Sequence, residues 1–209
     1  MKKNYFFILF VTLIFSLNIL GNQNPNNKRI LVTYFTVPEG DKATDTDGGA
    51  SIQIADGKVV GNNQLVATMI QKEVGGDIFA IETVNEYPID HKKLVDLGAE
   101  EKKNNARPKL KRKIENINNY DIIFIGFPNW WADLPMPLYT FLEENDFSGK
   151  IIIPFCVHGG SSFSGTIRTI TSLQPNATVV NDGLSISRND VHRLKNEVTN
   201  WINSLKELQ

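Results

Sequence analysis

Five short apolar runs, separated by longer amphipathic stretches, constrain the fold of this chain more than any other feature of its sequence. They are Ile30–Phe35, Ile78–Glu82, Ile122–Phe127, Ile151–Val157 and Thr178–Val180, the last extendable to Ser187. A run that is apolar at nearly every position reads as a strand covered on both faces, since a half-exposed strand would alternate. Between the runs, Leu65, Val66, Met69, Ile70 and Val74 recur at helical spacing, and Gly75-Gly76 ends that helix. Further helices are predicted around Lys92–Lys103, Pro137–Glu144 and Thr166–Leu173. A final stripe, Val191, Leu194, Val198, Trp201, Ile202 and Leu205, has Asn189 or Asp190 as its predicted cap. Strands alternating with helices specify an α/β protein: a parallel sheet with helices on both faces.

Two segments exceed that minimal plan. Val37–Val60 is a polar insertion after the first strand, and a long aperiodic loop in a compact domain is usually functional or disordered. It can instead hold a hairpin, with Ser51–Ile54 and Lys58–Val60 flanking an Asp56-Gly57 turn. Asn104–Asn119 is a basic connector whose run Lys109–Lys113 reads as solvated, as do the acidic pairs Glu100-Glu101 and Glu143-Glu144. At the amino terminus, Lys2-Lys3 precede Tyr5–Leu17, apolar except at Thr12 and Ser16. This pattern reads as a secretory signal, with a retained anchor as the alternative, although the run is shorter than the roughly 20 residues of a spanning helix. The expected organisation is therefore an export leader over 1–21, a spacer over 22–28 and one domain over 29–209. Without the leader, 20 basic side chains face 23 acidic ones, and a weakly acidic body has no electrostatic basis for binding nucleic acid. The single cysteine, Cys156, can form neither an internal disulfide nor a cysteine metal site, and His91, His158 and His192 show no metal spacing.

In an open parallel sheet, ligands bind beyond the carboxyl ends of the strands. Three loops in such positions have distinctive composition. Thr36-Val-Pro-Glu-Gly40, with Gly61-Asn-Asn-Gln64 opening the next helix, offers hydroxyl, amide and backbone donors to a phosphate. A plain turn with an Asn cap accounts for the same residues, and no Walker lysine is present. Pro128-Asn-Trp-Trp-Ala-Asp-Leu-Pro135 contains two adjacent indoles, which a regular strand would point to opposite faces. At least one is expected over a surface or a flat ligand, or against neighbouring loops or a subunit interface. His158-Gly-Gly-Ser-Ser-Phe-Ser-Gly165 combines paired glycines, which allow close backbone approach, with small hydroxyl donors. His158 beside Ser161 and Ser162 invites a hydrolase reading, but no Gly-x-Ser-x-Gly elbow follows a strand.

Together these loops carry a family resemblance. Thr33-Tyr-Phe-Thr36, Pro128-Asn-Trp-Trp131 and His158-Gly-Gly-Ser161, with Gly61-Asn62, Gly76-Asp-Ile-Phe79, Tyr87-Pro88, Ala106-Arg-Pro108 and Phe147-Ser-Gly-Lys150, make the chain resemble flavodoxin-like proteins over Lys28–Leu208. The resemblance implies a doubly wound, five-stranded parallel sheet of order 2-1-3-4-5, with FMN held non-covalently at its carboxyl edge. It assigns cofactor contacts to Thr36, Gly40, Gly61, Asn62 and Asn63 of the first loop and helix start. From the second and third loops it assigns Pro128, Asn129, Trp130 and Trp131, then His158, Gly159, Gly160, Ser161 and Phe163. Trp130 or Trp131 would form a face of the ring site, Asn129 would reach its polar edge and the His158–Phe163 loop would hold the opposite edge. No catalytic side chain is implied, because flavin itself carries electrons singly or as a hydride. An apolar or weakly acidic wall, with Asp133 contributing if it faces the ring, would lower the flavin potential. The first loop departs from the family pattern: Pro38-Glu39-Gly40 and the insertion replace a compact hydroxyl-rich cradle, and Asn63 stands where a threonine is usual. The implied function is an FMN-binding redox protein, an electron carrier or small flavin reductase with donor and acceptor unassigned. The alternative is a flavin-free binding module of the same fold, serving another ligand or a protein partner.

Overall fold

The computed structural model describes residues 28–39, 52–55, 57–191 and 194–209. The predicted leader and most of the insertion lie outside those residues. β1 (Ile30–Tyr34) is followed by a two-stranded antiparallel hairpin, β2 (Ile52–Ala55) and β3 (Lys58–Gly61), which the Asp-Gly signal anticipated. Next come α1 (Asn62–Val74), β4 (Asp77–Ala80), α2 (His91–Lys103), β5 (Ile122–Pro128), α3 (Met136–Glu144) and β6 (Ile151–His158). α4 (Thr166–Leu173), β7 (Thr178–Val179), β8 (Leu184–Ser187) and α5 (Lys195–Ser204) complete the domain. The main sheet is parallel throughout, in the order β4-β1-β5-β6-β7 with β8 also on β6, which is the expected 2-1-3-4-5 arrangement.

Successive side chains of the central strands β1 and β5 enter different cores. Ile30, Val32 and Phe124 face α1 and α5, whose Val66, Ile70 and Val198 close that layer. Leu31, Ile123 and Phe127 face the opposite layer with Leu138, Phe141 and Ile170. Both layers fill completely around the central strand β5, so its run is apolar on both sides.

The fifth run is two strands, and Pro154 supplies the reason. The carbonyls of Lys150 and Ile152 accept bonds from Thr178 and Val180, so even-numbered β6 residues present their polar groups to the fifth run. Pro154 shares that parity but has no N–H to give. The ladder stops there and resumes where Phe155 pairs with Leu184. The last helix also starts later than its apolar stripe suggests. Its N-cap is Leu194, with no side-chain cap, whereas Asn189 and Asp190 lie in the turn after β8, closed by the Asp190 N–H to the Ser187 carbonyl at 2.9 Å. Neither caps α5; Val191 and Leu194 are nevertheless buried as the stripe requires.

Candidate functional site

The carboxyl ends of β1, β5, β6 and β8 open into one cavity of about 360 Å³, in the size range of small-molecule clefts. Thr36, from the loop after β1, lines it beside Asn62 and Asn63, which open α1. Gly61 sits behind them as the helix N-cap, where a Cβ would lie 2.2 Å from Thr36 Oγ1, so only glycine lets the loop approach the helix this closely. Asn62 and Asn63 are each 2% exposed, and among the described residues their Oδ1 atoms have no hydrogen-bond partner. Unmade bonds at buried polar atoms cost free energy, so such atoms in a cavity wall favour a polar ligand. Gly40 lies outside the described residues.

Pro128, Asn129, Trp130 and Trp131 all line the cavity. Trp130 and Asp133 exchange backbone hydrogen bonds of 3.1 and 3.0 Å around Trp131 and Ala132, whose φ values are +54° and +59°. This is the backbone pattern of a type I′ turn, ordinarily built from Gly or Asn. It separates the two indoles. Trp130 turns inward, edge-on to Phe35 and Tyr87 at centroid distances of 5.6 Å and against Gly98 of α2. Trp131 stays 54% exposed over the cavity rim, tethered by its Nε1–H to the Val95 carbonyl at 3.2 Å. Asn129 Nδ2 donates to the Ser162 carbonyl at 2.6 Å and to Ser164 Oγ at 3.0 Å, which ties the second loop to the third. Its Oδ1 is buried and has no hydrogen-bond partner among the described residues.

From the third loop, His158, Gly159 and Ser161 line the cavity. Gly160 shapes the loop by donating its N–H to His158 Nδ1 at 2.9 Å. Burial lowers the His158 pKa from its ordinary value. Phe163 packs on Phe127 beneath the loop, away from the cavity wall. Cys156 is fully buried, and burial pushes its thiol up to about 12. Asp133 does not contribute charge to the cavity: its carboxylate accepts from Tyr139 Oη at 3.1 Å and pairs with Lys102 at 3.4 Å.

Sequence reasoning missed several cavity residues. His91, Leu94, Val95 and Gly98 come from α2, and Arg188 from the turn after β8. Only packing reveals which edge of an amphipathic helix borders a cleft, whereas Arg188 carried a readable signal because it directly follows the last strand. Glu39, 7% exposed in the cavity wall, is paired with His91 Nδ1. Glu101 departs from its expected place on a solvated helix face: it is half-buried and accepts a hydrogen bond from Tyr87 Oη at 2.7 Å. Burial raises its pKa.

The chain is similar to several known proteins. A family model described as flavodoxin matches residues 51–205, beginning after β1. Flavodoxin 1 of Salmonella typhimurium and Flavodoxin 1 of Escherichia coli K12 are each 26% identical over 140 residues, covering 59% of this chain and 62% of theirs. The chain thus matches less than two thirds of the length of these relatives. Among solved structures, a candidate flavoprotein from Bacteroides uniformis aligns with a TM-score of 0.56 at 25% identity, covering 85% of this chain and 99% of that one. A flavoprotein from Lactobacillus acidophilus, solved in complex with FMN, aligns at a TM-score of 0.54 and 16% identity, covering 79% and 97%.

Proposed function

Because this chain belongs to the flavodoxin family, we propose that its cavity binds FMN non-covalently and that the protein serves as a redox carrier or small flavin-dependent reductase. The observation that carries this reading is the convergence of three loops on one cavity with complementary chemistry. A helix start and Thr36 stand at one wall, an exposed indole at the rim, and unpartnered buried amide oxygens at Asn62, Asn63 and Asn129. These groups fit a ligand with a flat apolar ring and a polar tail.

Bound FMN supplies the redox chemistry, taking up and releasing electrons singly or as a hydride. The chain's own residues bind and orient. Trp131 offers a ring face at the mouth, Asn129 Oδ1 offers an acceptor to a ligand N–H, and Thr36 with the start of α1 offers donors to an anion. His158, whose pKa burial lowers and whose Nδ1 accepts the Gly160 N–H, fixes the third loop. The charged start and apolar run over 1–21 support export, with the domain working outside the cytoplasm; cell fractionation and the mass of the mature amino terminus test this.

The test of function is titration of the purified protein with FMN, followed by visible absorption and tryptophan quenching. Saturable binding with a dialysis-resistant yellow protein is expected. Replacing Trp131 by Ala is expected to weaken binding by about 1 kcal/mol. Protein from its native compartment that lacks a flavin spectrum and ignores added FMN would refute the proposal in favour of a flavin-free binding module.

A further inference from the structure

We propose that Arg188 is the cation of a phosphate-binding subsite in this cavity and makes the site select FMN over unphosphorylated riboflavin. The inference rests on the FMN reading and adds to it a residue from the opposite edge of the sheet. Leu184 and Ile186 of β8 pack with Phe155 and Val157 of β6 in the layer beneath α1 and α5. The same alternation brings Gly159 and Arg188 to that face, beyond the strand ends, where α1 begins. The Arg188 N–H donates to the His158 carbonyl at 2.9 Å, so the root of the side chain is anchored to β6. Its Cζ lies 3.5 Å from where a Cβ on Gly159 would stand.

The surroundings of this guanidinium call for an anion. Arg188 lines the cavity half-buried, and among the described residues no carboxylate lies within ion-pairing distance of it. Glu39, the acidic group in the same wall, is engaged by His91. The start of α1 adds positive potential to the same space. Asn62 and Asn63 sit there almost fully buried, their Oδ1 atoms without a hydrogen-bond partner among the described residues, and each amide also carries two N–H donors that a phosphate can accept from. A phosphate, with several acceptor oxygens and up to two negative charges, satisfies these groups together and matches the fork of a guanidinium.

The full-length protein and its Arg188→Gln and Arg188→Lys variants are titrated with oxidised FMN and with riboflavin, at low salt and at about 0.5 M salt. Arg188→Gln is expected to weaken FMN binding about tenfold or more while riboflavin changes less than about twofold. Arg188→Lys recovers part of the loss, and FMN affinity falls more steeply with salt in the wild type than in Arg188→Gln. Equal losses for the two flavins would show that Arg188 acts on the ring or the fold, and unchanged FMN affinity would exclude it; either overturns the proposal. If the wild type binds neither flavin, the FMN reading fails by itself. A phosphate-induced rise in Tm that Arg188→Gln lacks would then still support the anion subsite, and no rise would overturn that as well.

Discussion

Replacing Ala132 by Gly is expected to stabilise the protein. Trp131 and Ala132 both hold left-handed backbone, φ +54° and +59°, in the turn that presents the exposed indole. An L-residue in that region costs about 1–2 kcal/mol relative to right-handed backbone, because Cβ crowds the following carbonyl. Glycine removes that cost but gives the unfolded chain more freedom, which takes back about 0.4–1 kcal/mol. Ala132 is exposed, so no packing is lost. The net gain is about 0.5–1 kcal/mol, or roughly 1–4 °C in Tm for a domain of this size. Thermal unfolding followed by far-UV circular dichroism, with a parallel urea titration, measures it. FMN affinity is expected to stay within about twofold, since the turn is already formed by the Trp130–Asp133 bonds. A fall in Tm would refute the reasoning, because it would mean that residue 132 does not occupy left-handed backbone in the folded protein.

Other substitutions test the surrounding packing. Gly98→Leu is expected to destabilise by about 1–3 kcal/mol, since even a Cβ there meets the Trp130 ring at 3.3 Å; urea unfolding checks it. Tyr87→Phe removes the hydroxyl bound to Glu101 and is expected to cost about 1 kcal/mol near neutral pH, with unchanged stability counting against a formed bond. The folded-state pKa of His158 is depressed by burial, so the unfolded chain takes up its proton first as pH falls below about 6.5. Stability present above that pH is therefore lost on acidification, and His158→Gln is expected to flatten this part of the pH profile. Cys156, whose thiol is pushed up to about 12, is expected to resist thiol reagents at pH 8 until the protein unfolds.

The strands β1, β5 and β6 were legible because burial on both faces demands unbroken apolar runs, and local composition marks them. The Asp-Gly hairpin and the glycine stop after α1 were legible for the same local reason. The break in the fifth run was not, because its cause is Pro154 on the neighbouring strand, and sequence does not show which side of β6 faces β7 and β8. Whether Asp133 faces the cavity was not legible for a similar reason. Its direction depends on a turn of two left-handed non-glycine residues, a geometry that Trp131 and Ala132 do not advertise.

By itself, the sequence determined the layered α/β architecture, the strand order implied by the family resemblance and the three loops from which a ligand site could be built. Those features follow from periodicity and from residues close together in the chain. Only the tertiary structure decided that Trp130 is packed and Trp131 exposed, that Glu39 meets His91, and that Arg188 shares a cavity with Asn62 and Asn63. These relations join residues far apart in sequence, and each depends on which strands pair and in what register. No local pattern encodes that pairing, because it is set by the packing of both layers at once.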